Sequence, residues 1–282
     1  MSGLTEDRLK DSFQNLLTKL SDISYSMSPP EAAAFVTDMI KEASGVDDPY
    51  IQIKKDSNEA ALSLYPELKK RVEGAGDPFR EALLLSIAGN LIDYGAKADL
   101  DLDAALTEIM ESTEASSGGA ADKLFRFSDF KAELEAAEDI LFLGDNAGEI
   151  VFDRVFIETL RAEFPGKKIS FAVRGGPALN DALIPDALDV GLDKVADIIS
   201  SGCAAAGTIL PKCSEDFIER LDKADLVISK GQGNYESLSG SSIEKIWFLF
   251  RIKCAIVAES AGGPEGKLVL KKNACGILDP IA

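Results

Sequence analysis

The spacing of apolar residues predicts a helical first part of the chain. Over roughly the first 135 residues, apolar side chains recur every three or four positions, as in the run from Leu9 to Leu20, which is typical of amphipathic helices. Capping residues stand directly before proline in Ser28-Pro29, Asp48-Pro49 and Asp77-Pro78. This order predicts that a helix starts at each of these three points.

Other features subdivide this helical part. The third predicted helix contains Tyr65-Pro66, and we expect a break there because proline cannot donate the helical hydrogen bond. The fourth contains Asn90 and Asp93, which are three positions apart and therefore share one helix face. Further helices are predicted from Asp103 and from Ser128.

From residue 139 onwards, short apolar runs alternate with segments of helical periodicity. This alternation predicts a mostly parallel β-sheet with helices on both faces, so the fold class is α/β with an all-helical N-terminal part. We expect a helical domain over residues 1–138 and an α/β domain over residues 139–282. The predicted strands are residues 139–143, 168–173, 197–200, 225–229, 246–251 and 268–271.

Composition narrows the classes of function. The formal charge of −18 argues against a nucleic-acid or anionic-membrane partner, because both require a basic surface. The chain contains no histidine, which excludes Ser-His-Asp and Cys-His nucleophiles and removes the usual ligands of zinc and non-haem iron. Acid–base chemistry must therefore come from Asp, Glu, Lys or Tyr.

No apolar run approaches the roughly 20 residues of a membrane span, and the charged, amphipathic N-terminus does not resemble a signal peptide. The four cysteines form no Cys-x-x-Cys pair, so a structural zinc site is not expected. We interpret them mainly as small apolar residues, with Cys203, in a predicted loop, left open. These features favour a protein of the reducing cytoplasm.

Polar, glycine-containing stretches follow several of the predicted strands. In open α/β sheets, ligands bind outside the carboxyl ends of the strands, so these stretches are candidate parts of one site. Each alone has an ordinary structural interpretation, such as a helix cap, a turn or a buried hydrogen bond. The five stretches are residues 144–149, 174–181, 230–236, 201–203 and, inside the fourth predicted helix, 89–93.

Taken together, these stretches indicate a cation and phosphate site. Asp145, Asn146 and Asp181 can supply oxygen ligands to one hard cation, since oxygen ligands suit Mg²⁺ and Mn²⁺. Arg174, Lys230 and loop amides can hold a phosphate group. A nucleotide cofactor is less favoured, because no stretch has the Gly-x-Gly-x-x-Gly or Gly-x-x-x-x-Gly-Lys-Ser/Thr spacing.

At these residues the chain resembles the metal-dependent damage-control phosphatases, also known as domain of unknown function 89, and within them the short archaeal-type branch. The resemblance covers roughly residues 75–275, and its motifs are specific only in combination. Residues 1–74 lack the paired cysteines that archaeal-type relatives often carry there, so no metal or redox role is predicted for that segment. The matching motifs, in order, are Gly-Asn-x-x-Asp, Gly-Asp-Asn-Ala-Gly-Glu, Arg-Gly-Gly-Pro-x-x-Asn-Asp-Ala and Lys-Gly-Gln-Gly-Asn-Tyr-Glu.

The resemblance implies a helical part packed on a Rossmann-like α/β domain and a divalent cation held by Asp145, Asn146 and Asp181. The metal would be Mn²⁺, Mg²⁺, Co²⁺ or Ni²⁺. It also implies that Asn90 and Asp93 face the same cleft. The phosphate contacts that it implies come from Lys230 and from the following turn, through Gly231, Gly233 and Asn234.

The predicted function is the metal-dependent hydrolysis of phosphomonoesters of small metabolites, such as sugar phosphates or damaged phosphopantetheine compounds. Asp145 and Lys230 would act directly, with Glu149 and Asp93 as candidate proton carriers. Water is the expected attacking group, and Asp145 as a covalent nucleophile is the alternative. The partner is a small phosphorylated metabolite, and a homo-oligomer is left open. Two alternatives remain, an S-adenosylmethionine-dependent methyltransferase and a non-catalytic phosphometabolite-binding protein.

Overall fold

A computed structural model describes residues 27–89 and 123–274, with six further positions between residues 10 and 24. The helix predicted from Asp103 and the predicted site residues Asn90 and Asp93 lie outside the described residues. The same is true of most of the helix predicted around residues 9–20.

The described residues form one six-stranded sheet with the order β3-β2-β1-β4-β5-β6. Strands β1 to β5 are parallel, and β6 pairs antiparallel with β5. All six strands were predicted, and no bound differs from the prediction by more than one residue. The strands are β1 Asp139–Leu143, β2 Lys168–Val173, β3 Asp197–Ser200, β4 Leu226–Lys230, β5 Ile246–Arg251 and β6 Leu268–Lys272.

Two helices begin at the predicted Ser28-Pro29 and Asp77-Pro78, whereas the helix predicted from Asp48-Pro49 begins two residues later, at Ile51. Glu31 accepts hydrogen bonds from the backbone N–H and the hydroxyl of Ser28, and Asp77 accepts one from the N–H of Arg80. None of the described helices is long and apolar enough to cross a membrane. The helices are α1 Pro29–Ser44, α2 Ile51–Gly74, α3 Pro78–Ala88, α4 Phe127–Ala136, α5 Glu149–Glu163, α6 Ile184–Asp189, α7 Glu215–Lys223, α8 Gln232–Leu238 and α9 Ala255–Ala261.

The break predicted at Tyr65-Pro66 was wrong, because α2 continues through Pro66 to Gly74. Ala61 lies before the proline, and Leu68 and Val72 lie after it, and all three are buried in the same core. Burial on both sides of Pro66 holds the helix together, and this tertiary packing outweighs the hydrogen bond that proline cannot make.

Helices cover both faces of the sheet, as predicted. On one face, α2, α3, α4 and α5 share a core with the strands, in which Phe130 packs edge-on against Trp247 at 5.4 Å between ring centroids. On the other face, Tyr235 packs against Phe250 at 4.7 Å. Helices α2, α3 and α4 therefore join the core of the sheet directly, and the division of the chain at residue 138 stays a prediction.

The strand order determines where a ligand can bind. Strand β1 lies between β2 and β4, and from it the chain adds β2 and β3 on one side and β4, β5 and β6 on the other. At such a switch point the loops leave the sheet on opposite sides and open a crevice. Leu143 at the end of β1 pairs with Ser229 near the end of β4, so the turns after these two strands lie side by side.

Candidate active site

A cleft of about 330 Å³ lies at the carboxyl ends of β1 and β4. Its floor is polar and comes from the turns after β1 and β2, and its opposite side is the apolar start of α1. The turn after β4 and a lysine just after β5 complete it. The lining residues are Pro29, Pro30, Ala33, Asp145, Asn146, Leu179, Asn180, Asp181, Ala206, Gln232, Gly233, Glu236 and Lys253.

Backbone hydrogen bonds fix the three predicted metal ligands beside one another. Asn146 and Asp181 form an isolated antiparallel bridge between the turns after β1 and β2. Within it, the N–H of Ala147 donates to the carbonyl of Asn180, and that of Ala182 donates to the carbonyl of Asp145, both at 2.9 Å. The side chains of Asp145, Asn146 and Asp181 consequently line the same cleft.

Burial disfavours the charged forms of the two carboxylates among these three residues, Asp145 and Asp181. Burial raises the pKa of Asp145 well above its usual value, and the nearby charges of Asp181 and Glu149 raise it further. The pKa of Asp181 is also raised, mainly by burial, although Arg174 acts in the opposite direction. One guanidinium therefore does not balance the buried negative charge at this floor.

Arg174 supplies the counter-charge from behind the floor. Its Nε donates to Asp181 at 2.6 Å, and its Nη2 lies 3.5 Å from Asp145. Its Nη1 donates to Asn234 at 2.9 Å and to Thr208 at 3.2 Å. Arg174 is 4% exposed and is not part of the cleft lining, so in this structure it holds the carboxylates and does not face the cleft.

The chemistry of the floor fits a hard divalent cation. Two carboxylates and one amide oxygen are ligands of the kind that Mg²⁺ and Mn²⁺ take, and a bound cation would relieve the mutual repulsion of Asp145 and Asp181. Among the described residues, no group of three or more His, Cys, Asp or Glu side chains could hold a metal ion. The candidate ligands Asp145, Asn146 and Asp181 do not form such a group, because one of the three is an asparagine.

The predicted phosphate turn presses against the floor. Gly231 has φ +81°, and a Cβ built on it would lie 1.9 Å from Oδ2 of Asp145, so only glycine fits there. Gly233 lines the cleft and approaches the carbonyl of Ala206 equally closely, at 2.0 Å from its Cβ position. These glycines allow the turn after β4 to lie directly over Asp145.

The structure places Lys230 outside the cleft lining, and its role in phosphate binding stays a prediction. The ammonium donates to the carbonyl of Ser86 at 2.8 Å, to Glu149 at 2.5 Å and to Asp153 at 2.7 Å. These three bonds use every donor that an ammonium has, and the side chain is fully buried. Burial opposes its charge, but the two carboxylates outweigh this and raise its pKa.

Glu149 and Asp153 complete this buried cluster beneath the floor. Glu149 is 2% exposed and is not part of the cleft lining, and its role as a proton carrier stays a prediction. Its Oε2 accepts a long hydrogen bond of 3.5 Å from the amide of Asn146. Burial raises the pKa of Asp153 to about 6, although Lys230 acts against the shift.

Asn234 is likewise occupied within the protein. Its amide nitrogen donates to the carbonyls of Lys230 at 2.7 Å and Gly144 at 3.2 Å, and its oxygen accepts from Arg174 and Thr208. The side chain is fully buried, and its contact with phosphate stays a prediction. It ties the turn after β4 to the turn after β1.

Sequence analysis missed two charged residues that line the cleft, Lys253 and Glu236. Lys253 is exposed and acts electrostatically on Asp145, lowering its pKa against the effect of burial. Lys253 could have been predicted from its position just after β5, because the residues that follow other strands had already been considered as candidates. Glu236 belongs to the Lys230–Glu236 motif but had been given no role, and burial raises its pKa.

Cys203, which the sequence left open, is buried behind the cleft. A hydrogen bond from Cys213 lowers its pKa to about 6. Its carbonyl accepts a hydrogen bond from the N–H of Gly175 at 2.9 Å. The loop that follows it contributes Ala206 to the cleft.

Comparisons with known proteins agree on one family. Residues 2–269 match the family model described as the damage-control phosphatase ARMT1-like domain. A damage-control phosphatase of Archaeoglobus fulgidus is 33% identical over 269 residues, which cover 94% of this chain and 90% of that protein. A second one, from Pyrococcus horikoshii, is 35% identical over 233 residues, covering 81% and 76%.

The fold leads to the same family. The crystal structure of a DUF89 family protein from Pyrococcus horikoshii superimposes with a TM-score of 0.83 at 30% sequence identity. The match covers 96% of this chain and 92% of the other. On the extent of the family-model match and of these likenesses, the chain belongs to the damage-control phosphatase ARMT1-like family.

Proposed function

We propose that this chain is a metal-dependent phosphatase that hydrolyses phosphomonoesters of small metabolites. The observation that carries the proposal is the convergence of Asp145, Asn146 and Asp181 on the floor of a cleft that also contains Lys253. Oxygen ligands for a hard cation and one exposed ammonium are what a phosphate dianion needs in a protein of net charge −18.

Each residue of the cleft has a distinct part in this proposal. Asp145, Asn146 and Asp181 would hold Mg²⁺, Mn²⁺, Co²⁺ or Ni²⁺, which would supply charge neutralisation and polarisation at the phosphoryl group. Lys253 would bind the phosphate oxygens by charge-assisted hydrogen bonds. Arg174 would keep Asp145 and Asp181 ionised and in place from behind the floor.

The rest of the cleft supports a small and polar substrate. Its volume of about 330 Å³ is at the lower end of the range of ligand pockets, roughly 300–1,000 Å³. Gln232 and Asn180 offer amide groups, and Glu236 a carboxyl group, for hydroxyls, while Pro30 and Leu179 offer apolar surface. A sugar phosphate fits these features better than a phosphopantetheine compound, whose long chain would have to extend out of the cleft.

The test is phosphate release from metal-free protein. The protein is stripped with chelator and given Mg²⁺, Mn²⁺, Co²⁺ or Ni²⁺ in turn, with an aryl phosphate, a panel of sugar phosphates and a phosphopantetheine compound. We expect release only when a metal is restored, and faster release from sugar phosphates than from the longer compound. No release with any metal, from protein shown to be folded, would contradict the proposal.

Lys253→Ala should lower kcat/KM for the best phosphomonoester by roughly 10- to 150-fold, mainly through a higher KM. A hydrogen bond to a charged group contributes about 1.5–3 kcal/mol, and its loss here removes the only exposed cation among the described cleft residues. Steady-state kinetics of Lys253→Ala and Lys253→Arg measure the effect, with Lys194→Ala as a control at an exposed lysine outside the cleft. Unchanged KM in Lys253→Ala would remove this residue from the proposal.

A further inference from the structure

To ligate a cation in the cleft, the side-chain amide of Asn146 has to present its oxygen and not its NH₂ group. An amide oxygen can ligate a cation, whereas an amide NH₂ group can only donate hydrogen bonds. In the structure, the NH₂ group of Asn146 donates to Oδ2 of Asp145 at 3.1 Å and to Oε2 of Glu149 at 3.5 Å. Both acceptors bind the NH₂ end of the amide, and Asn146 lines the cleft, so the oxygen is the end left to face it.

The second of these acceptors is itself held in place. Glu149 accepts from Lys230 through Oε1 at 2.5 Å and from Asn146 through Oε2, so that each of its oxygens has a partner. Lys230 in turn is fixed by the carbonyl of Ser86 and by Asp153. All of these groups except Asn146 are almost completely buried, which leaves Glu149 no solvent-facing orientation.

From this chain of hydrogen bonds we propose that Lys230 and Glu149 are positioning residues, which orient the amide of Asn146 so that its oxygen faces the cleft. They touch neither substrate nor cation, and act only through Asn146. This inference rests on the cation site proposed above. It gives the buried ion pair of Lys230 and Glu149 a role other than phosphate binding or proton transfer.

The Glu149→Gln variant tests the orientation directly, because it keeps the shape of the side chain. The ammonium of Lys230 has only donors, so it would bind the amide oxygen of the introduced glutamine and turn the NH₂ group of that glutamine towards Asn146. Two NH₂ groups cannot bond to each other. The NH₂ group of Asn146 would keep only its bond to Oδ2 of Asp145, which is itself a ligand in the proposed site, so the amide would lose its fixed orientation and its oxygen would face the cleft for only part of the time.

We expect Glu149→Gln to weaken Mn²⁺ binding about 10- to 100-fold, the usual cost of losing a group that orients a ligand. Isothermal titration calorimetry of chelator-stripped protein measures the dissociation constant. Asp153→Asn is the matched control, because it removes the same charge from the same cluster, keeps an oxygen that can accept from Lys230, and does not touch Asn146. Its affinity for Mn²⁺ should stay close to that of the wild type, and equal weakening in both variants would overturn the inference.

A second background separates orientation from charge. In Asn146→Asp the side chain has two oxygens and no end to orient, so adding Glu149→Gln should leave Mn²⁺ affinity unchanged or increase it. If charge alone mattered, Glu149→Gln would weaken binding by the same factor in both backgrounds. That result, or no weakening in either background, would overturn the inference.

A metal-free measurement keeps this inference separate from the proposed function. The NH₂ resonances of Asn146 can be identified by nuclear magnetic resonance from their absence in Asn146→Asp. In metal-free protein they should shift in Glu149→Gln and stay in place in Asp153→Asn. Failure of the wild type to bind any divalent cation would count against the proposed function alone, whereas unshifted resonances in Glu149→Gln would overturn the positioning role.

Discussion

Replacing Asp145 with alanine is expected to lower metal-dependent phosphate release at least about a thousandfold. Cation stabilisation of a phosphoryl transition state contributes several kcal/mol, and about 4 kcal/mol corresponds to this factor. Asp145 and Asp181 both line the cleft, and the turn at Gly231 lies directly against Asp145, so the variant keeps only one carboxylate of the proposed ligand set. Release of inorganic phosphate at saturating Mn²⁺ measures the loss.

The fold should survive this change, and the metal response should not. Burial and repulsion raise the pKa of Asp145, so its removal relieves an unfavourable charge, and metal-free Asp145→Ala should melt no lower than the wild type. Mn²⁺ should raise the melting temperature of the wild type but not that of the variant. Asp189→Ala, at an exposed position of α6, is the control. Turnover near the wild-type rate in Asp145→Ala would remove Asp145 from the site.

Replacing Arg174 with methionine is expected to destabilise the metal-free protein by about 3–5 kcal/mol at neutral pH, the cost of leaving buried charges without their partner. Arg174 is the guanidinium that contacts both Asp145 and Asp181, and all three side chains are buried. Urea unfolding of the variant measures the loss. Arg126→Met, which breaks a half-exposed pair with Asp129, should cost less than about 1 kcal/mol.

The destabilisation of Arg174→Met should also depend on pH. Without the guanidinium, the pKa values of Asp145 and Asp181 rise beyond their already raised values, so the folded state binds more protons than the unfolded state. Stability of the variant relative to the wild type then falls as pH rises above the ordinary aspartate pKa, and the deficit is smaller in acid. If Arg174→Met does not fold at neutral pH, Arg174→Lys should fold with a smaller deficit. A deficit that does not change with pH would contradict this explanation.

The strands could be predicted from sequence because their signal is local. Residues 140–143 are apolar without interruption, since helices cover both faces of β1, and such a run has few other interpretations. The continuation of α2 through Pro66 could not be predicted in this way. It depends on the burial of Leu68 and Val72 against other elements, and no neighbouring residue encodes those partners.

The candidate site was predicted in part for the same reason. Asp145 and Asp181 follow strand ends, and strand ends of a parallel sheet share one edge, so their proximity could be expected from the sequence. Lys253 follows the end of β5 but lies outside any glycine-rich motif. Its place in the cleft became clear only from the position of β5 beside β4.

Lys230 shows which properties of this protein the sequence determined and which the tertiary structure determined. The sequence alone determined the strands, the turns at their ends and the residue types available there, because short-range patterns specify them. It placed Lys230 in the turn after the predicted strand, whereas Lys230 is the last residue of β4 and shares a face of that strand with Ile228. Only the tertiary structure decided that this face meets Ser86 of α3 and Glu149 of α5, where Lys230 forms a buried ion pair. The physical reason is that the direction of a side chain depends on its own strand, whereas its partners depend on which helices the rest of the chain packs against it.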